Sequence, residues 1–245
     1  MAVEAPARTG TGYLRFLSFG GWIYAAVTAF ATVFGIVGTF ILEAVEIRMP
    51  VAEFWPKLYP TVELDPAPAA QVVSGGFTWA EVSVTGLGYD ARTLLALGHL
   101  AQGATGVVIA LAIALLCRRI LAGDPFRSRV STITTIAGAS VLIGGLAWQL
   151  FYLFAGTLAA RATLSVTGWS YDNSVLTDAY VGEDMGQLGW PQPPDSWFLD
   201  FWPVWIGLAL LAVAAAFRHA EKLTTHAEQL AVHAEELERD TEGLI

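Results

Sequence analysis

The sequence has one cysteine, few charged residues and a shortage of basic ones. The lone thiol, Cys117, cannot form a disulfide within the chain, and it rules out a cysteine-based metal site. Charged residues make up 14% of the chain, well below the roughly 25% of an ordinary soluble domain. The 13 lysines and arginines face 22 acids, for a net charge of −9, which argues against nucleic acid as a partner.

Catalytic signatures are also missing. The sequence contains no Walker phosphate-binding loop, no His-Glu-x-x-His zinc motif and no Gly-x-Ser-x-Gly nucleophile turn. We therefore expect no enzymatic activity, no cofactor and no metal. No acid lies deep in an apolar stretch, which disfavours a proton- or cation-coupled transporter, since such proteins normally need a charged group near the middle of the membrane.

Four long apolar stretches dominate what the sequence does contain. The chain is 55% hydrophobic with a mean hydropathy of +0.54, and the stretches lie at 20–42, 93–116, 132–159 and 201–217. Each is close to the roughly 20 residues that cross a hydrocarbon core about 30 Å thick. Because a helix satisfies its own backbone polar groups in lipid, the pattern predicts an all-α membrane protein with four transmembrane helices.

The placement of basic residues predicts the orientation. Four arginines crowd the short connection between the second and third stretches: Arg118, Arg119, Arg127 and Arg129. The charged residues of the two long connections, 43–92 and 160–200, are mostly acids. Since cytoplasmic loops carry the excess of basic residues, we expect a multi-pass protein of the plasma membrane, with residues 1–19 and 218–245 in the cytoplasm.

The two long connections predict an outer β-layer. They share a short sequence motif: Ser83–Asp90 is identical to Ser165–Asp172 at six of eight positions. The first connection also has Gly75-Gly76, which suits a tight hairpin turn. Composition rich in β-branched and aromatic residues predicts strands at Ala70–Ser74, Phe77–Thr85 and Thr163–Thr167. We expect three or four strands; extended, solvated loops are the alternative.

A short motif lies between the second and third apolar stretches. It reads Gly123-Asp124-Pro125-Phe126 and follows an arginine pair. Asp124 suits the cap of the next helix, and Pro125 suits its first turn. Over Leu115–Trp148 the chain resembles an uncharacterised family of bacterial four-helix integral membrane proteins that carry a Gly-x-Pro-Phe motif here, some of them encoded beside small helix-turn-helix regulators. The resemblance implies the four-helix topology but no active site.

The C-terminal segment repeats every seven residues. His219-Ala220-Glu221-Lys222-Leu223 recurs in near-identical form from His226 and again from His233. Alanine and leucine then form an apolar seam with a 3.5-residue period, typical of a coiled coil. The seam consists of Ala220, Leu223, Ala227, Leu230, Ala234 and Leu237. We expect one helix to continue from the fourth apolar stretch into this tail. The seam would mediate self-association or contact another subunit; a solvated helix is the alternative.

Polar residues inside the apolar stretches are the remaining candidates. His99 and Gln102 lie one turn apart in the second stretch, and Gln149 lies in the middle of the third. Polar groups at such depth usually face the helix bundle and are functional candidates. The alternative is plain hydrogen bonding between helices.

These features together predict a non-enzymatic integral membrane protein that acts by binding. It would serve as an accessory subunit, an assembly scaffold or a signal relay, through its outer loops and its cytoplasmic helix. The expected partners are the lipid bilayer and either a second copy or another membrane-complex subunit. An oligomeric channel or a small transporter is the alternative function.

Overall fold

The described part of the chain folds into four long helices and a small sheet. The computed structural model describes residues 9–55, 69–70, 72–122, 129–166, 190–194 and 199–242. The helices are α1 (Thr9–Ile41), α2 (Tyr89–Leu121), α3 (Arg129–Leu164) and α4 (Trp202–Glu242), and the strands are β1 (Ala44–Phe54) and β2 (Phe77–Thr85). All four helices are long and apolar enough to cross a membrane, which confirms the four predicted apolar helices as candidate spans.

Each helix extends beyond the apolar stretch that predicted it. The longest, α4, has 41 residues and is about 61 Å long at about 1.5 Å per residue. The apolar stretch at 201–217 occupies less than half of it. The repeat after residue 218 therefore continues the same helix without a break, as its seven-residue pattern predicted.

The sheet confirms one predicted strand and supplies a partner that was not predicted. β2 occupies Phe77–Thr85, the predicted range, and pairs antiparallel with β1 from Ala44↔Thr85 to Phe54↔Phe77. Over residues 44–49 β1 alternates exposed residues with buried Val45, Ile47 and Met49, and this two-residue period is typical of a half-buried strand. The alternation is visible in the sequence, but β1 begins directly after the first helix in the chain.

Two of the predicted strands are wrong. Val72–Ser74 is irregular, so Gly75, at φ +98°, does not join the predicted hairpin. Thr163 belongs to the last turn of α3, where its hydroxyl donates to the Ala159 carbonyl at 2.9 Å; Gln71 and Thr167 lie outside the described residues. The sheet has two strands in the described part of the chain, rather than three or four.

The contacts fall into two units, to which α1, α2 and α3 each contribute. One unit holds the described residues of Phe34–His99 and Trp148–Leu199, and the other holds those of Met1–Val33, Leu100–Ala147 and Asp200–Ile245. The first is called the sheet unit below, and the second the bundle unit.

The core of the sheet unit lies between one face of the sheet and the helices. Val45 and Ile47 pack on Ala91 and Leu95 of α2 and on Ala155 and Ala159 of α3. Met49 and Val51 pack on Ala160 and Leu164 of α3. Each buried aliphatic side chain contributes about 1.5–3 kcal/mol relative to exposure. The β1 backbone can approach α3 closely because Gly156 has no side chain; a Cβ there would lie 2.6 Å from the Arg48 carbonyl oxygen.

In the bundle unit α1 and α2 run antiparallel and meet through small residues. Gly21 lies against Ala110 and Ala114, with its ideal Cβ position 3.0 Å from Ala114 Cβ. Further along α1, Thr28 lies against Gly106. Gly106, Ala110 and Ala114 therefore form a stripe of small residues on α2 that lets α1 come close.

The contact between α3 and α4 also depends on glycine. Gly207 of α4 faces the backbone of Leu142, and Gly145 of α3 faces Pro203. Pro203 is almost fully buried and stands in the first turn of α4, where a proline leaves no intrahelical hydrogen bond unmade. Close backbone approach of this kind supplies the dispersion contacts that hold helices together in lipid.

Candidate functional site

His99 forms a hydrogen-bonded aromatic cluster inside the sheet unit. The Nδ1 atom of His99 on α2 lies 2.9 Å from the Tyr152 hydroxyl oxygen on α3. The two rings meet edge to face with centroids 5.5 Å apart, and Trp148 meets Tyr152 in the same way at 5.9 Å. Which group donates depends on the tautomer of the imidazole. We call His99, Trp148 and Tyr152 the His99 cluster.

Glycines make the room that these rings occupy. A Cβ at Gly35 of α1 would lie 3.3 Å from the His99 ring, and one at Gly98 of α2 would lie 2.5 Å from the Tyr152 ring. Any larger residue at position 98 would collide with the Tyr152 ring. The two glycines therefore allow three helices to close around a polar pair in an apolar region.

The structure separates the three polar residues that the sequence singled out. His99 hydrogen-bonds between helices, which is the alternative that the sequence left open for it. Gln102 is exposed and Gln149 is half-buried. Tyr152, the partner of His99, was not predicted. Its signal was weak, since a tyrosine one turn after a tryptophan also suits an ordinary apolar helix face.

The Tyr152→Phe variant is expected to lower the free energy of unfolding by about 0.6 kcal/mol and at most about 1.7 kcal/mol, the range measured for hydrogen bonds between membrane helices. The ring and its packing remain, so only the hydrogen bond is lost. Equilibrium unfolding in mixed detergent micelles measures the loss. Tyr24→Phe, on an exposed tyrosine of α1, is the matched control. A double-mutant cycle with His99→Phe should give a coupling energy of similar size; zero coupling would contradict the assignment.

Arg92 links the start of α2 to the end of α1. Its guanidinium donates to the carbonyl oxygens of Thr39 at 2.8 Å, Leu42 at 2.9 Å and Glu43 at 3.2 Å, and its Nε donates to Leu87 at 3.0 Å. The last carbonyls of a helix have no partner within it, and the negative end of its dipole favours a cation. α1 has no basic residue in its own last turn, so Arg92 supplies that charge from the next helix.

Arg92 was not singled out from the sequence, although a signal exists. An arginine in the first turn of a helix opposes that helix's dipole, so it needs a compensating partner elsewhere. Nothing in the sequence around Arg92 identifies the end of α1 as that partner.

The seam of the tail lies on the surface. Leu223 is 59% exposed and Leu230 is 70% exposed. Ala227 and Ala234 are exposed, Ala220 is half-buried, and the side chain of Leu237 lies outside the described part. No described residue of this chain therefore covers the two leucines.

The tail contacts the bundle through polar residues instead. The Ser131 hydroxyl of α3 lies 3.2 Å from the Glu221 carboxylate, and Arg218 donates to the Thr135 hydroxyl at 3.4 Å. His226 places Nδ1 2.8 Å from the Lys222 carbonyl oxygen of its own helix. These contacts fix the first heptad against α3 and leave the leucines outward.

The motif Gly123, Asp124, Pro125 and Phe126 lies outside the described residues. In comparisons with protein-family models, with curated proteins and with solved structures, nothing matches this chain. The resemblance to a four-helix family therefore stays a prediction.

Proposed function

We propose that this chain is an integral membrane protein that acts by binding, as an accessory subunit, an assembly scaffold or a signal relay. The observation that carries the proposal is the exposed seam of the tail. The seven-residue repeat exposes Leu223 and Leu230 in the single chain, and it forms an apolar stripe that a second helix can cover.

The proposed topology places the tail and the sheet on opposite sides of the membrane. Four spans return the C-terminus to the side of the N-terminus, and the arginines between α2 and α3 assign that side to the cytoplasm. The tail is acidic, with seven acids against Arg218, Lys222 and Arg239, so anionic lipid would repel it. A protein partner is the remaining way to cover the seam.

The sheet unit supplies the second surface of the proposal. The solvent face of the sheet carries Glu46, Arg48 and Glu81 around a hollow of about 380 Å³. Arg48 lies over the Trp79 ring, 4.9 Å from its centroid. Gln192, from the second long connection, accepts a backbone hydrogen bond from Ala52 at 2.9 Å. The hollow offers charged groups of both signs, which suit binding of a protein or a small polar ligand, and the second connection is hydrogen-bonded to the same strand.

Purification of the native protein in mild detergent, followed by mass determination, tests the proposed function. A defined homo-oligomer would support a scaffold, and a second protein in fixed ratio would support an accessory subunit. A bare monomer that retains no partner would contradict both. Ion flux through liposomes that contain the purified protein would establish a channel instead.

Cysteine labelling of intact cells tests the topology. In a Cys117→Ala background, we expect a membrane-impermeant maleimide to label Ser74→Cys, next to the sheet. It should not label Gln229→Cys, in the tail, until the membrane is permeabilised. Both positions are exposed, so access depends on the membrane and not on burial. Labelling of Gln229→Cys alone in intact cells would overturn the orientation.

A further inference from the structure

A hollow of about 330 Å³ opens between α1 and α2 in the bundle unit, close to the start of α1 and the end of α2. Two arginines and three apolar side chains form most of its wall. The lining residues are Arg15, Ser18, Phe19, Trp22, Arg118 and Leu121. We call it the arginine hollow.

A side-chain hydrogen bond brings the two arginines together. The buried Ser18 hydroxyl donates to the Ala114 carbonyl at 3.2 Å and so fixes the register of α1 on α2. Arg15 stands about one turn before Ser18, and Arg118 stands about one turn after Ala114. Because α1 and α2 run antiparallel, Arg15 and Arg118 lie on the same side of this hydrogen bond along the helix pair. Both arginines therefore line one hollow.

The described lining of the hollow carries unbalanced charge. Among the described residues it has two arginines and no acid, and neither arginine pairs with another described residue. The carbonyl end of α2 and the N–H end of α1 add opposite partial charges of about half a unit each, so the two arginines dominate the charge of the described lining. Phe19, Trp22 and Leu121 lower the local dielectric constant, so repulsion between the arginines is felt more strongly than in water.

We propose that the arginine hollow binds a phosphate group at the membrane boundary, as the headgroup of an anionic phospholipid or as free phosphate. Guanidinium groups match phosphate oxygens with paired, charge-assisted hydrogen bonds. A tryptophan at the end of an apolar span is typical of the headgroup level, where Trp22 would flank the lipid. The net charge of −9 gives the chain no general attraction for anions, so binding would be confined to this site.

Native mass spectrometry of the full chain in detergent, with added phosphatidylglycerol or phosphatidylcholine, tests the proposal. We expect wild type to retain phosphatidylglycerol in preference to phosphatidylcholine. Arg118→Gln and Arg15→Gln should each weaken that binding about tenfold or more, the effect of losing hydrogen bonds to a charged group. Arg119→Gln removes the same charge from the neighbouring residue, which does not line the hollow, and should bind as wild type does.

Measurements with inorganic phosphate distinguish free phosphate from a lipid headgroup as the ligand. If inorganic phosphate displaces phosphatidylglycerol and raises the thermal midpoint by itself, the ligand is free phosphate; if it does neither, the ligand is the lipid. Arg118→Lys keeps the charge and should bind between wild type and Arg118→Gln, which guards against a folding defect in the glutamine variant. Equal loss from Arg118→Gln and Arg119→Gln, or no preference among the lipids and no effect of phosphate, would overturn the proposal.

Discussion

Leu230→Asp is expected to abolish association through the tail while leaving the single chain folded. In an assembled seam Leu230 would be packed against another helix, and an unpaired carboxylate there costs several kcal/mol. We expect association to weaken about 100-fold or more, since about 1.4 kcal/mol corresponds to tenfold. The side chain is 70% exposed in the single chain, so the same substitution should barely change its stability. Size-exclusion chromatography with light scattering measures the mass of the complex.

Gln229→Asp is the matched control for this prediction. Gln229 is the preceding residue of the same helix, is exposed, and lies outside the seam. Both variants introduce the same residue into the same helix, so intrinsic helix propensity cancels between them. If both variants lose the complex equally, or if neither does, the heptad pattern does not mediate assembly. The proposed function would then lose its main support.

Arg92→Met should lower the free energy of unfolding of the sheet unit by about 2–4 kcal/mol. The substitution removes donors from four backbone carbonyls, and hydrogen bonds to a charged group contribute about 1.5–3 kcal/mol each before solvent exposure is counted. Two of the four bonds are exposed, so the sum is well below four full contributions. The Arg92→Met substitution also removes the cation at the C-terminus of α1. Denaturant titration in micelles, followed by hydrogen exchange of β1 and β2, measures the change.

Arg161→Met provides the control for Arg92. Arg161 is an exposed arginine in the last turn of α3, so its loss removes one charge from the same unit and none of the contacts to α1. Arg92→Lys should recover only part of the lost stability, because a single ammonium cannot reach carbonyls on two sides as a planar guanidinium does. Equal effects of Arg92→Met and Arg161→Met would show that Arg92 acts through net charge alone.

The sequence determined the helices because their signals are local and strong. Apolar runs near 20 residues predict spans by themselves, since every residue of a span must suit lipid. The seven-residue repeat likewise predicts a continuous helix from neighbouring residues alone, and α4 runs unbroken from Trp202 to Glu242. β2 was predicted from its own composition for the same reason.

The sheet pairing and the side-chain clusters were decided by tertiary structure. β2 has a partner 30 or more residues earlier in the chain, Ala44–Phe54, and no pattern within β2 specifies that choice. Thr163 is β-branched, yet it ends a helix because neighbouring Ala160 and Leu164 pack under Met49 and Val51. Strand propensity is weak compared with such burial, and burial depends on residues distant in sequence.

The same distinction holds for the candidate sites. The sequence identified His99 as a polar residue in an apolar span, but the helix contacts that bring Tyr152 to it come from Gly35 and Gly98, whose role appears only when three helices meet. The seam was visible in the sequence, while its exposure was not. Composition and periodicity determined which residues are helical and apolar, because those preferences act residue by residue. The tertiary structure decided which polar groups meet, because distance in space is set by packing.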